Sequence, residues 1–158
     1  MPNQPNPHML RALELARKAF DLGEVPVGAV VVRRATGEIL GEGYNRREID
    51  HDPLAHAEIL AIREASQTLG GWRLSGCDLY VTLEPCPMCC GAILNARISN
   101  VYFGAYDKKA GSVYSVQEMF ELPYNHRPEV FGGIMQDACG QVLSEFFEKL
   151  RLDRKAGK

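Results

Sequence analysis

No apolar run in this 158-residue chain approaches membrane-spanning length. The longest stretch, near Val25 to Val32, falls far short of the roughly 18 residues that a spanning helix needs. Residues 1–7 have neither a basic start nor an apolar core, so no signal peptide is expected. There is no excess of positive charge either. Eighteen Lys and Arg stand against 20 Asp and Glu, a net charge of −2, which excludes a bulk polyanion binder of the histone kind and requires any basic contact surface to be local. The end of the chain offers such a cluster in Lys149, Arg151, Arg154, Lys155 and Lys158. Internal repeats are lacking, as is low complexity beyond a Pro/Asn-rich leader. What remains is 46% hydrophobic and 24% charged, ordinary for one globular domain with a sizeable core. That domain is expected to fill residues 1–158, with a disordered leader over 1–7 and a flexible basic tail over 153–158.

Two short stretches carry chemistry: His56-Ala57-Glu58 and Pro85-Cys86-Pro87-Met88-Cys89. Cys86 and Cys89 stand at i and i+3, on one face of a helix and close enough to share an ion. Pro87 suits the first helical position, where a missing N–H costs nothing. Cys86 then becomes the N-cap, with the helix dipole favouring its thiolate. His56, at the cap of a helix through Ile59, Leu60, Ile62 and Ala65, can bend toward the same ion. Glu58 in the first turn can point into the same cavity. One imidazole and two thiolates suit a catalytic Zn²⁺ that keeps its fourth position for water, and Glu58 is placed to move the proton. A closed structural zinc would need a fourth ligand, for which Cys77, Cys90 and Cys139 are candidates by type. Cys90 follows Cys89 and points off the metal face, whereas Cys77 and Cys139 read as buried small hydrophobes. A redox Cys-x-x-Cys is the remaining alternative. Two cysteines held as metal thiolates argue for a reducing compartment, so a cytoplasmic location is expected.

Periodicity supplies the scaffold. Met9, Leu10, Leu13, Ala16 and Phe20 predict a helix over 8–22, stopped by Gly23. Val27 to Arg33 and 38–44 predict a hairpin across Thr36-Gly37. After a polar loop comes the His56 helix, ending near Gly70-Gly71. A third strand is expected over 78–83, the Cys86 helix to about Ala96, and a fourth strand over 100–104. The stretch 105–125 predicts a loop with a short helix, Val130-Phe131 a fifth strand, and 136–152 an amphipathic closing helix. The alternation argues for a layered α/β sheet with some parallel pairs.

The pattern H-x-E…P-C-x-x-C is that of zinc nucleobase deaminases. Together with Val25-Pro26-Val27-Gly28-Ala29-Val30, Tyr44-Asn45-Arg46, Leu79-Tyr80-Val81-Thr82-Leu83-Glu84, Phe103-Gly104-Ala105 and Asn125-His126-Arg127, it resembles the bacterial tRNA-specific adenosine deaminases. The likeness runs over about residues 8 to 152. It implies a cytidine deaminase-like fold, a three-layer α/β/α sandwich around a mixed five-stranded sheet. It implies one zinc on His56, Cys86 and Cys89, and Glu58 as proton shuttle. It also implies a homodimer whose partner helps complete each site, and a tRNA anticodon stem-loop whose wobble adenosine becomes inosine. On the same resemblance Val27, Asn45 and Ala57 hold the purine, while Asp107, Asn125, His126 and Arg127 grip flanking nucleotides or ribose. Read without it, Asn45 is a turn residue, Val27 is core, and the others are solvated loop. Phe146-Phe147 with Lys149 and Arg151 offer stacking and phosphate contacts, although at least one Phe fits the core of an amphipathic helix; Phe147 and Arg151 are the expected contacts. Tyr106 and Tyr114 depart from the family's usual residues and bear on flanking-base preference. Two other functions fit the motif: deamination of a free nucleobase or nucleoside of the guanine or cytosine type, and a non-catalytic zinc-stabilised RNA-binding module. The stretches Val25-Pro26-Val27 and Thr82-Leu83-Glu84 match the tRNA enzymes better. An unligated Glu58 has no use in a structural site.

Overall fold

Ten elements are built around one sheet in the computed structural model, which describes residues 3–157. Helix α1 covers Pro7–Asp21, the hairpin strands β1 and β2 cover Gly28–Arg33 and Ile39–Tyr44, and α2 covers Ala57–Leu69. Strand β3, Cys77–Leu83, feeds α3, Pro87–Ala96, which returns through β4, Asn100–Ala105. A 3₁₀ turn over Met119–Glu121 precedes β5, Glu129–Phe131, and α4, Gln136–Lys155, closes the chain.

The strand order is β2-β1-β3-β4-β5. β1 is antiparallel to both β2 and β3, whereas β3–β4 and β4–β5 are parallel. Alternation along the strands sends side chains to two cores. Ala29, Val31, Leu79 and Val81 face α2 and α3 with Ala57, Ala61, Ile93 and Leu94. Val30, Val32 and Tyr80 face α1 and α4 with Met9, Ala12, Leu15 and Cys139. Three layers result, as the resemblance implies. On the second face Tyr80, Tyr102 and Phe131 stack across β3, β4 and β5 with centroids 4.5 and 4.9 Å apart.

Close helix seating depends on residues without bulk. A Cβ added at Gly43 of β2 would lie 2.3 Å from the Ala57 carbonyl oxygen and 2.8 Å from the Ala61 nitrogen. The beginning of α2, with His56 at its N-cap, is therefore pressed directly onto the sheet.

Both ends of the described chain are built into the fold. The leader is tied down from Asn3, whose side chain donates to Asp137 Oδ2 at 2.8 Å and accepts from the Asp137 N–H at 3.2 Å. The reason is that Met135, the N-cap of α4, provides no capping side chain, so Asn3 supplies the acceptor that an open helix start demands. Asn6 then caps α1 and Pro7 begins it. At the other end α4 continues through 153–155, with Arg154 and Lys155 in its last turn, where cations complement the helix dipole. Met1, Pro2 and Lys158, the outer ends of the expected leader and tail, lie outside the described residues. No described helix is long and apolar enough to cross a membrane.

Candidate active site

Two helix starts converge at one end of the sheet. β3 ends at Leu83, and three residues later Cys86 is the N-cap of α3 with Pro87 in its first turn. His56 caps α2 in extended geometry and makes no capping hydrogen bond, which leaves its ring free to turn inward. Its Nδ1 lies 3.7 Å from Cys86 Sγ and 3.7 Å from Cys89 Sγ. All three ligand atoms fall within 4.8 Å of one another. Tetrahedral zinc with bonds near 2.3 Å to sulfur and 2.0–2.1 Å to nitrogen places those atoms about 3.6 Å apart, so the trio has the dimensions to hold a metal ion. Among the described residues no other group of His, Cys, Asp and Glu is so gathered. Cys77, Cys90 and Cys139 are buried in the cores and do not join it.

Shared protons tie the titrations of these groups together. Hydrogen bonds from Cys89 and His56 push the Cys86 thiol down to about 4, while the Cys89 thiol is raised by sharing a proton with Cys86. His56 is raised, chiefly by its bond to Cys86. Glu58, only 4% exposed, has no basic partner among the described ion pairs, and burial pushes its carboxyl up to about 7. A carboxyl poised near neutrality can take up and release protons without leaving its place.

Above this floor opens a cavity of about 640 Å³. Val27, Asn45, Ala57, Asp107 and Phe147 line it. Asn45 is partly committed: its Nδ2 donates to the Val25 carbonyl and its Oδ1 accepts the Arg47 N–H, both at 3.2 Å. One donor and one lone pair remain for a guest. Phe147 is 42% exposed at the cavity whereas Phe146 is buried, packing edge-on against Phe20, so the pair divides between contact and core.

Asn125, His126, Arg127 and Arg151 are not brought there. His126 Nε2 meets the Ile98 carbonyl at 2.6 Å and Arg127 is bonded to Glu121. The reason is topological: Glu129 pairs with Asn100 at the start of β4, and the cavity lies beyond the other end of that strand. Arg151 is exposed one helical turn past Phe147. The cavity takes in Tyr106 and also residues that sequence reasoning left unassigned, among them Arg47, Glu84, Lys108, Lys109 and Leu143. Arg47, Lys108 and Lys109 make no ion pair among the described residues. Glu84 was visible only as one letter of the stretch before Cys86.

Its partners explain the rim. Glu84 is 2% exposed and accepts the N–H groups of Asp107, Val113, Tyr114 and Ser115 and the Ser115 hydroxyl. Burial alone would raise its carboxyl, but these bonds, the Ser115 hydroxyl first, hold it below the ordinary value. On the opposite side Glu24, equally buried, accepts the N–H groups of Glu48 and Ile49.

The MafB19-like deaminase family matches residues 3–151. The tRNA-specific adenosine deaminase of Bacillus subtilis is 46% identical over 152 residues, covering 96% of this chain and 93% of that protein. A solved structure from work on tRNA:A34 deaminases, which edit A to I at the wobble position of transfer RNA, superposes with a TM-score of 0.83 at 44% identity. It covers 87% of this chain and 100% of the other. A guanine deaminase from Nitrosomonas europaea gives a TM-score of 0.74 at 28% identity, covering 90% and 84%.

Proposed function

The chain belongs to the MafB19-like deaminases and, among them, to the tRNA-specific adenosine deaminases, and from that premise we propose how its residues hydrolyse adenosine to inosine at the wobble position of a tRNA anticodon. The observation that carries this reading is the His56–Cys86–Cys89 trio at the floor of a cavity that also holds the buried carboxyl of Glu58. Zinc is the ion that this donor set suits, and when bound it supplies Lewis-acid activation of water near neutral pH. Glu58 takes a proton from the attacking water and delivers it to purine N1 as the new C6–O bond forms. A second transfer through the same carboxyl lets the exocyclic nitrogen leave as ammonia, so water and adenosine become inosine and ammonia. Val27 and Ala57 flank the base, and the free half of the Asn45 amide meets its edge.

A nucleotide chain rather than a free base fits the mouth of the cavity. Arg47, Lys108 and Lys109 supply unpaired positive charge, Tyr106 and Phe147 supply exposed rings, and RNA is read through splayed bases and phosphates. That answers how a chain of net charge −2 can take a polyanion: the cations are local. The same floor would serve free guanine, but identity is 46% to the tRNA enzyme against 28% and 37% to two guanine deaminases. Homodimerisation belongs to the proposal, since a second copy could bring Asn125, His126 and Arg127 to a site that they do not reach within one chain. A cytoplasmic location follows from the substrate and the thiolate ligands.

The deciding experiment offers the purified protein tRNA with adenosine at the wobble position, beside free adenosine, cytidine and guanine. Inosine in the tRNA, with ammonia released in equal amount, is the expected result. Turnover of a free base with untouched tRNA would overturn the reading.

A further inference from the structure

Residues 106–110 form one wall of the cavity, yet they belong to no helix or strand. Something other than a backbone ladder must fix them. Glu84 meets that requirement. Its Oε1 accepts the Asp107 N–H at 3.0 Å, and its Oε2 accepts those of Val113, Tyr114 and Ser115 at 3.2, 2.8 and 2.9 Å. The Ser115 hydroxyl completes the set. Among the described residues no cation pairs with this carboxylate. A buried charge with no counter-ion is sustained only by such a full complement of donors. The fit is tight: a Cβ at Gly111 would come 2.4 Å from both Cδ and Oε1 of Glu84, so the loop closes around the carboxylate. Asp107, anchored in this way, turns its own carboxylate onto the N–H groups of Lys109 and Ala110. The chain of bonds runs from β3 through Glu84 to the cations and the ring at the cavity mouth.

We propose that Glu84 is a positioning residue for substrate recognition, whose carboxylate sets the Tyr106–Ala110 wall against the tRNA strand and takes no part in proton transfer. The inference rests on the tRNA reading above. It separates the two buried carboxylates of the cavity by task, Glu58 at the reacting atoms and Glu84 behind the wall.

The test compares Glu84→Gln, Glu84→Asp and the milder Ser115→Ala with the wild type. The readouts are kcat and KM on an anticodon stem-loop, metal content, and the rate of tryptic cleavage after Lys108 and Lys109. In Glu84→Gln an amide NH₂ confronts N–H donors, so KM should rise roughly tenfold or more, as for loss of charge-assisted bonds. Its kcat should stay within about threefold and its metal content should be unchanged, since the reacting groups are left in place. Cleavage should quicken because the segment opens locally. Glu84→Asp should recover part of both losses. Ser115→Ala, at an exposed residue, should shift KM the same way by a few-fold and gives the result if Glu84→Gln does not fold. A fall in kcat at constant KM, a loss of metal, or unchanged cleavage in folded variants would overturn the inference. Wild-type failure on tRNA would sink the functional reading instead, and the proteolysis would still report on Glu84.

Discussion

The floor and the rim of the cavity are built by different means. The floor groups, His56, Glu58, Cys86 and Cys89, sit on the first turns of two helices pressed against a sheet. The rim groups, Arg47 and Tyr106 to Ala110, sit on loops secured by buried carboxylates, Glu24 on one side and Glu84 on the other. Reacting atoms must be held closely, and helix starts on a packed sheet hold them so. A wall that meets a polymer must match its outline, and a loop on a polar anchor can be reshaped without disturbing the floor.

The largest effect should come from the floor. Glu58→Ala is expected to lower kcat by about 10³ or more while metal content and fold persist; turnover near normal would remove Glu58 from the proton path. Cys86→Ala and Cys89→Ala should each fail to retain metal after dialysis, measured by elemental analysis, and full occupancy in both would point to other ligands. A packing change beneath the floor should come next. Gly43→Ala forces a methyl against Ala57 and Ala61, and overpacking of this kind costs about 1–3 kcal/mol, read as a lower midpoint in urea. Should activity fall more than stability does, α2 would be setting the His56 position. At the rim, Lys108→Ala should weaken tRNA binding and flatten the salt dependence by about one unit of slope, leaving kcat in place. The smallest effect is expected far from both regions. Arg11 joins Glu42 across α1 and β2, and its guanidinium holds the Glu42 carboxyl below the ordinary value of 4.5. A lowered carboxyl contributes stability above its unfolded pKa and loses it as pH falls through the folded one. Glu42→Gln should therefore cost up to about 1 kcal/mol at neutral pH, a deficit that shrinks once the pH falls below the ordinary carboxyl value and vanishes below the lowered folded one, and a deficit that persisted in acid would assign the cost to packing.

The same division decides what could be read from the sequence. The floor was legible because local signals and chemistry coincide there: Pro87 after Cys86 marks a helix start, and the i, i+3 spacing aims both sulfurs one way. The first strand was legible as a β-branched run and the second from the Thr36-Gly37 turn, their ends set to within a residue or two. Glu84 was not, because a carboxylate that reaches residues 107–115 leaves no periodic trace. Asn125, His126 and Arg127 were assigned by resemblance, and only the parallel pairing of β4 with β5 reveals that they lie at the opposite end of the sheet. The contacts of the chain's ends are hidden for a related reason. Asn3 reads as polar leader, and its value as a cap depends on Asp137, 134 positions away.

Strand β5 offers only three residues to its neighbour, and backbone bonding alone would make so brief a margin easy to shed. The pile of rings formed by Tyr80, Tyr102 and Phe131 lashes it sideways to two inner strands, so detaching it means prying apart aromatic faces as well as a few amide links. A stray extended peptide seeking to enlist this border finds only those three residues to pair with, too brief a template to hold it.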